Sequence, residues 1–207
     1  MLPLKPVRCG MALLLLSLGA CSNISEEECA SGDWYSIGVN DGKSGLDHKK
    51  FSSYQKECAG HGFTADYGRY QQGYQQGLIF YCDFSHGEEH GRAGKDYNTV
   101  CTGPREQDFR AGYQRGIRWY QARHTMDSIG HDIDRLNRQI SQNREHIYAL
   151  NQQIAQEQNP NTRASLLYRT DQLRSELEQL SAQVGRLQVQ FAQAEHAFAE
   201  VEAAQRR

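Results

Sequence analysis

The stretch that decides the fold is residues 70–82, with the sequence YQQGYQQGLIFYC. Its aromatic residues and glycines recur every three or four positions, which is the spacing of one face of an α-helix. Glycine destabilises a helix interior by about 1 kcal/mol relative to alanine, so these glycines need a compensating contact. Close approach of a second helix would supply that contact. The stretch therefore predicts a helix that packs through its glycines and ends at a cysteine.

The same pattern, an aromatic residue followed by glycines three and seven positions later, occurs four times. The four copies begin at Tyr35, Tyr70, Phe84 and Phe109. Because positions i, i+3 and i+7 share a helical face, each copy presents an aromatic side chain beside a shallow backbone groove. We favour a compact domain over residues 33–118 in which small helices cross at short distance. The alternative is a groove for a small ligand or peptide, with walls formed by Tyr70, Tyr74, Tyr81 and Tyr113.

Residues 119–207 have a different composition and a heptad pattern. Their apolar positions are Ile129, Ile133, Leu136, Ile140, Ile147, Leu150 and Ile154, followed by Leu166, Leu173, Leu177, Leu180, Val184, Leu187, Phe191, Ala194, Phe198 and Val201. Asn143 and Thr170 occupy the two polar positions of these runs. Pro160 favours the first turn of a helix, and Asn159 is a suitable N-cap. The pattern predicts an antiparallel coiled-coil hairpin that turns near residues 159–161.

The register of this hairpin follows from the position of its turn. Facing residues should have numbers that add to about 320, which places Ile140 opposite Leu180 and Leu136 opposite Val184. The second helix is long enough to require a first helix that begins inside the glycine-rich region, near Arg105. An intermolecular coiled coil would use the same seams. We favour the intramolecular hairpin, because its short turn keeps the entropy cost of loop closure low.

The N-terminus carries a targeting signal. Lys5 and Arg8 precede the apolar run MALLLLSLGA of residues 11–20, which is too short to span a bilayer. The run ends in LSLGAC, and this resembles the bacterial lipoprotein box. The resemblance implies a signal peptide over residues 1–20 that is removed, and acylation of Cys21 by lipid chains such as palmitate. Ser22 at the next position favours the outer membrane, so residues 21–32 are expected to be a lipidated N-terminus and linker.

Four cysteines remain beyond Cys21, namely Cys29, Cys58, Cys82 and Cys101. An even number of cysteines in an oxidising periplasm indicates two disulfides, although the sequence permits three pairings. We favour Cys29 with Cys58 and Cys82 with Cys101. The first pair would close a hairpin of helices near residues 33–44 and 49–59, and the second would bracket the segment that begins at Phe84. The fold class is thus all-α, with a disulfide-stapled helical domain followed by the hairpin.

The order of motifs carries a resemblance to a known family. The segments DWYSIGVNDGKSG, RYQQGYQQGLIFYC and YNTVC, with Phe51, Tyr54 and Cys58 between the first two, resemble domain-of-unknown-function family 2799 of predicted Gram-negative lipoproteins. The resemblance covers residues 29–116. It implies neither an activity nor catalytic residues.

The residues that could carry chemistry are few. The segment HGEEH places His86 and His90 one helical turn apart, but Gly87 occupies the position where zinc proteases carry glutamate. We therefore expect an exposed polar helix with no metal site, no cofactor and no catalytic residue. The formal net charge of −2 does not suggest a nucleic-acid partner. The sequence indicates a non-enzymatic, periplasm-facing outer-membrane lipoprotein that contacts the membrane through its lipid and an envelope protein through its coiled coil.

Overall fold

A computed structural model describes residues 24–206 of the chain. The predicted signal peptide and the acylation site Cys21 lie outside these residues. Within them every regular element is helical and no strand is present, which confirms the predicted all-α class. None of the helices in this range combines the length and the hydrophobicity that crossing a membrane requires.

Seven α-helices follow one another along residues 24–206. They are α1 (Glu26–Ser31), α2 (Trp34–Lys43), α3 (Phe51–Gly60), α4 (Tyr67–Tyr81), α5 (Phe84–Arg92), α6 (Pro104–Gln156) and α7 (Pro160–Gln205), with a short 3₁₀ turn at His48–Lys50 before α3. Helix α6 starts directly after Gly103 and runs into the hairpin without a break, close to the predicted start near Arg105.

The described chain divides into two compact units, 24–77 and 78–206, called unit 1 and unit 2 below. The division falls within α4, whereas the boundary predicted at residue 118 lies inside the continuous helix α6. The stretch predicted as a linker also differs, because Ile24 is buried and residues 26–31 form α1. Ser25 and Glu28 stabilise α1 through a reciprocal capping box, a local signal that the composition of the stretch conceals.

One disulfide staples each unit. Cys29 is bonded to Cys58 in unit 1, and Cys82 is bonded to Cys101 in unit 2, which is the pairing that the sequence favours. All four cysteines are at most 3% exposed. The first bond ties α1 to the end of α3, and the second ties the residue two positions before α5 to the loop after that helix, so small cores are closed by covalent links.

Helices α6 and α7 form the predicted hairpin within one chain. Leu136, Ile140 and Val184 form a buried cluster, against which Ile133, Leu177, Leu180 and Leu187 pack. The register is readable at the far end of the hairpin, where the side-chain amide of Gln205 donates to the backbone carbonyl of Arg115 at 2.9 Å. These two residue numbers add to 320. The register predicted from the turn therefore holds from the cluster to the end of α7.

The two polar seam positions behave differently. Thr170 is fully buried, and its hydroxyl donates to the backbone carbonyl of Leu166 at 2.9 Å. Its polar group is thus satisfied within its own helix. Asn143 has a buried side-chain nitrogen without a hydrogen-bond partner in the structure. This position is a local weak point of the seam.

Candidate functional site

In unit 1, helices α2 and α4 cross with their backbones in contact. A Cβ atom added to Gly38 would lie 2.8 Å from the backbone nitrogen of Tyr74, and one added to Gly77 would lie 2.7 Å from that of Lys43. A Cβ atom at Gly73 would meet the carbonyl group of Tyr35. Backbone atoms cannot move aside as a flexible side chain can. The crossing therefore requires glycine at these positions.

Helices α5 and α6 of unit 2 cross in the same way. A Cβ atom at Gly112 would lie 2.8 Å from the backbone nitrogen of Glu88, and one at Gly116 would lie 2.7 Å from that of Arg92. Gly87 and Gly91 face the backbone of α6 at Phe109 and Tyr113. All four aromatic-glycine copies are thus used, paired as first with second and third with fourth.

The two crossings are structural copies of one another. The backbone nitrogen of Leu46 donates to the carbonyl of Asp41 at 3.0 Å, and that of Lys95 donates to the carbonyl of His90 at 3.3 Å. Both turns pass through a glycine with positive φ, Gly45 at 63° and Gly94 at 66°. Gly45 follows Tyr35 by ten positions and Gly94 follows Phe84 by ten, so this spacing is a local sequence signal for the turn.

A tyrosine of the second helix locks the turn in each copy. The Tyr74 hydroxyl donates to the carbonyl of Leu46 at 2.7 Å, and the Tyr113 hydroxyl donates to the carbonyl of Lys95 at 3.0 Å. Leu46 and Lys95, which supply these carbonyls, also donate the backbone hydrogen bonds that end α2 and α5. The tyrosines therefore join each crossing to its turn.

A buried carboxylate distinguishes unit 1. Asp41 is 7% exposed and lies in the last turn of α2, where the helix dipole disfavours a negative charge. Its two oxygens accept hydrogen bonds from Tyr54 at 3.2 Å and from Tyr70 at 2.8 Å. Burial, together with the charge of Asp41 and the hydrogen bonds to it, raises the pKa of both phenols above the ordinary value. We call Asp41, Tyr54 and Tyr70 the carboxylate-phenol network.

His90 occupies the equivalent position in unit 2. Its Nε2 lies 2.8 Å from the carbonyl of Asp96, which can only accept, so Nε2 carries the proton. Nδ1 lies 3.5 Å from the hydroxyl of Tyr81, which also accepts a hydrogen bond from Asn98 at 2.8 Å. Burial raises the pKa of Tyr81. Phe109 stands where unit 1 has Tyr70, and therefore offers no hydroxyl to His90.

The tyrosines predicted as walls of a groove lie mostly inside the crossings. Tyr70 is 0% exposed, Tyr74 is 4% exposed and Tyr81 is 8% exposed, whereas Tyr113 is half-buried. Tyr70 packs on Phe51 at a ring-centroid distance of 4.8 Å, and Tyr81 packs on Phe109 at 5.3 Å. Rings in these positions fill the space around the crossings, which is the packing role that the sequence analysis favoured.

The histidines of HGEEH take part in local hydrogen bonding. His86 Nδ1 lies 3.0 Å from the carboxylate of Asp83, and Asp83 also caps α5 by accepting from the backbone nitrogen of His86. Within residues 24–206, no group of three or more histidine, cysteine or acidic side chains is arranged to hold a metal ion.

In the carboxylate-phenol network, both carboxylate oxygens of Asp41 already accept hydrogen bonds from phenols. A substrate could not reach them without displacing these hydrogen bonds.

Three exposed apolar side chains lie near the turn of the hairpin. Tyr148 is 68% exposed, Leu167 is 45% exposed and Tyr168 is 67% exposed. Tyr148 lies eight residues before the end of α6, and Leu167 and Tyr168 lie seven and eight residues after the start of α7. Eight residues span about 12 Å along a helix. We call these three residues the tip patch. None of the three occupies a seam position of the heptad pattern, so that pattern does not indicate them.

Comparison with known protein families identifies a match for more than half of the chain. A sequence model of the family described as "Protein of unknown function (DUF2799)" matches residues 33–149. The match covers both crossings and most of α6, so it continues well past residue 116, where the resemblance was expected to end. Helix α7 lies outside it. No curated protein and no solved structure matches the chain significantly.

Proposed function

Because the chain belongs to the DUF2799 family of proteins of unknown function, we propose its role from its own residues. We propose that it is a lipid-anchored protein of the bacterial outer membrane that faces the periplasm. Its hairpin binds an envelope protein, and the molecule acts as a scaffold rather than as an enzyme.

The anchor is supported by the sequence and by the cysteine chemistry of the folded units. The signal at residues 1–20 ends in a lipoprotein-like box at Cys21. Both disulfides are buried, and such bonds persist in an oxidising compartment such as the periplasm. Together these features suit a secreted, acylated protein.

The observation that carries the binding role is the tip patch. Tyrosine side chains offer large contact areas and a polar end, and they are enriched at the centres of protein interfaces. Tyr148 and Tyr168 expose about two thirds of their surface on helices whose other exposed positions are mainly polar. The alternative of a ligand groove has less support, because Tyr70, Tyr74 and Tyr81 are buried.

Photo-crosslinking in living cells tests the tip patch. A photoreactive amino acid at Leu167 should give a discrete protein adduct, because the patch contacts its partner directly. The double change Tyr148→Ser and Tyr168→Ser should reduce this adduct at least tenfold. Val189→Ser is the matched control, since Val189 is also apolar and 60% exposed on α7 but lies far from the turn. An adduct that survives the double change, or is lost equally with Val189→Ser, would contradict the proposal.

Mass spectrometry and fractionation test the anchor. The mature chain should begin at an acylated Cys21 and should sediment with outer membranes. Ser22→Asp should move it to the inner-membrane fraction, since aspartate after the acylated cysteine opposes outer-membrane sorting. An unmodified Cys21 in a soluble mature chain would overturn the anchor.

A further inference from the structure

Folded structure in unit 1 begins very close to Cys21. Ile24 is 5% exposed, and its backbone nitrogen donates to the carboxylate of Glu57 on α3 at 3.2 Å. Helix α1 starts two residues later, with Ser25 as its N-cap, and Cys29 ties it to the end of α3. The chain is therefore held in place from Ile24 onward by a buried side chain, a hydrogen bond and a disulfide.

The chain between Cys21 and Ile24 is short. Only Ser22 and Asn23 separate these residues. An extended chain spans at most about 3.5 Å per residue, so the two Cα atoms are no more than about 11 Å apart. A lipid attached to Cys21 would place the surface of unit 1 around Ile24 within that distance of the headgroups.

We propose that unit 1 lies directly against the bilayer, with α1 and the C-terminal end of α3 forming its lipid-facing surface. The proposal rests on the lipid anchor proposed above. The lipid headgroup layer contacts this surface, because the short connecting chain leaves no room for another macromolecule between unit 1 and the bilayer.

The charges around Ile24 indicate which lipids this surface fits. Glu26, Glu27 and Glu28 are exposed on α1, and Glu57 lies half-buried beside Ile24. Lys56 precedes Glu57 in α3, and His61 Nδ1 lies 3.6 Å from the carboxylate of Glu26. The surface is thus net acidic. It suits headgroups that carry an ammonium group, and anionic lipids repel it within a Debye length of about 8 Å.

Photo-crosslinking to lipid tests the contact in the full-length acylated protein. A photoreactive residue replaces Glu27 or, in a second variant, Ala30; both positions are exposed on α1 and lie outside the capping box. The vesicles contain phosphatidylethanolamine and phosphatidylcholine. We expect lipid adducts at both positions. A Gly/Ser spacer of 15 residues between Asn23 and Ile24, with a typical reach of about 20 Å, should reduce them at least tenfold.

The outcomes separate this inference from the anchor. If Cys21 is acylated but no adduct forms, or the spacer leaves the yield unchanged, the membrane-facing surface is wrong and the anchor stands. If Cys21 is unmodified, both fail. Replacing a third of the lipid by phosphatidylglycerol should lower the yield several-fold at low salt, with recovery in 0.5 M salt. A yield that rises with phosphatidylglycerol would contradict the assignment of the acidic surface.

Discussion

The crossings of unit 1 and unit 2 use the same glycine contacts around different polar centres. In unit 1 the residue six positions after the leading aromatic is Asp41, held by two phenols. In unit 2 the equivalent residue is His90, held by one phenol and a backbone carbonyl. The glycines and the tyrosine that locks each turn are retained in both copies. Backbone contact is thus the shared requirement, whereas the polar centre can vary.

The physical reason lies in the kind of atom that each residue meets. The crossing glycines face backbone atoms of the other helix, which no rotamer change can move away. The polar centre consists of side chains, which can be exchanged as a set if every buried group keeps a partner.

The largest effect is expected from the crossing glycines. Gly73→Ala would place a methyl group on the carbonyl of Tyr35, and Gly112→Ala would place one on that of Phe84. The helices would have to separate, so we expect each change to cost about 4 kcal/mol or more. Circular dichroism during denaturant unfolding measures this loss.

Gly185→Ala is the control for this prediction. Gly185 lies inside α7, and a Cβ atom there meets nothing within 4 Å. Alanine should therefore stabilise the helix by about 1 kcal/mol. A similar small gain at Gly73 or Gly112 would contradict the close crossing.

The disulfides should come next in size, with nearly equal effects in the two units. Cys29→Ala with Cys58→Ala opens a link across 29 residues, and Cys82→Ala with Cys101→Ala opens one across 19 residues. Loop-closure entropy predicts a loss of about 3 kcal/mol for each pair, with a difference of only a few tenths. Denaturant midpoints of the two double variants test this. A loss confined to one pair would show that the other unit does not depend on its staple.

Most of the architecture is predictable because it depends on local periodicity. The aromatic-glycine spacing identifies four helix faces, and Pro160 with the heptad positions determines the hairpin and its register. A face does not identify its partner, however. Which copies cross depends on contacts between residues 22 to 38 positions apart along the chain, and no local pattern encodes them.

The polar centre and the start of unit 1 were less predictable for related reasons. Asp41 stands in the sequence GVNDGK, which looks like the exposed end of a helix, and only Tyr54 and Tyr70 from later helices make its burial tolerable. Residues 24–32 look like a polar linker. Their order comes from the buried Ile24 and the disulfide at Cys29, both of which depend on α3.

Tyr70→Phe gives unit 1 the residue that unit 2 has at the equivalent position. It tests whether a single residue of one polar centre can be replaced by its counterpart from the other. The change leaves Asp41 Oδ2 without its 2.8 Å donor in a buried site. Hydrogen bonds to charged groups contribute about 1.5 to 3 kcal/mol, so we expect a loss in that range. Tyr113→Phe is the control, because its hydroxyl donates to a neutral carbonyl and the residue is only half-buried. Its loss should stay near 1 kcal/mol.

Alkaline unfolding should sharpen the same contrast. Burial first, and then Asp41, raises the pKa of Tyr70, so the folded chain keeps a proton that the unfolded chain releases near pH 10. The stabilisation of the folded chain that depends on protonated Tyr70 is complete below that pH. It declines as the pH rises above it, by up to about 1.4 kcal/mol per pH unit for each tyrosine. Tyr70→Phe should therefore flatten the decline measured by denaturant unfolding between pH 10 and 11.5. An unchanged slope would show that Tyr70 does not keep its proton.

The smallest effect concerns α1, the helix that lies before the α2–α4 crossing in unit 1. The hydrogen bond from the backbone nitrogen of Ser25, followed by that from its hydroxyl, lowers the pKa of Glu28. The charged Glu28 carboxylate therefore stabilises the folded chain fully above the unfolded-state pKa of about 4.5. This stabilisation is lost as the pH falls through the lower pKa of the folded state. Because Glu28 is exposed, solvent screening keeps this contribution below about 0.5 kcal/mol.

Glu28→Gln tests this small contribution, because it keeps the shape of the capping box but removes the charge. It should make the melting temperature of the chain less dependent on pH between pH 5 and 3. Glu27→Gln removes a neighbouring charge outside the box and should leave that pH dependence unchanged. If both changes act alike, the general charge of α1 rather than the capping box sets the acid sensitivity of unit 1.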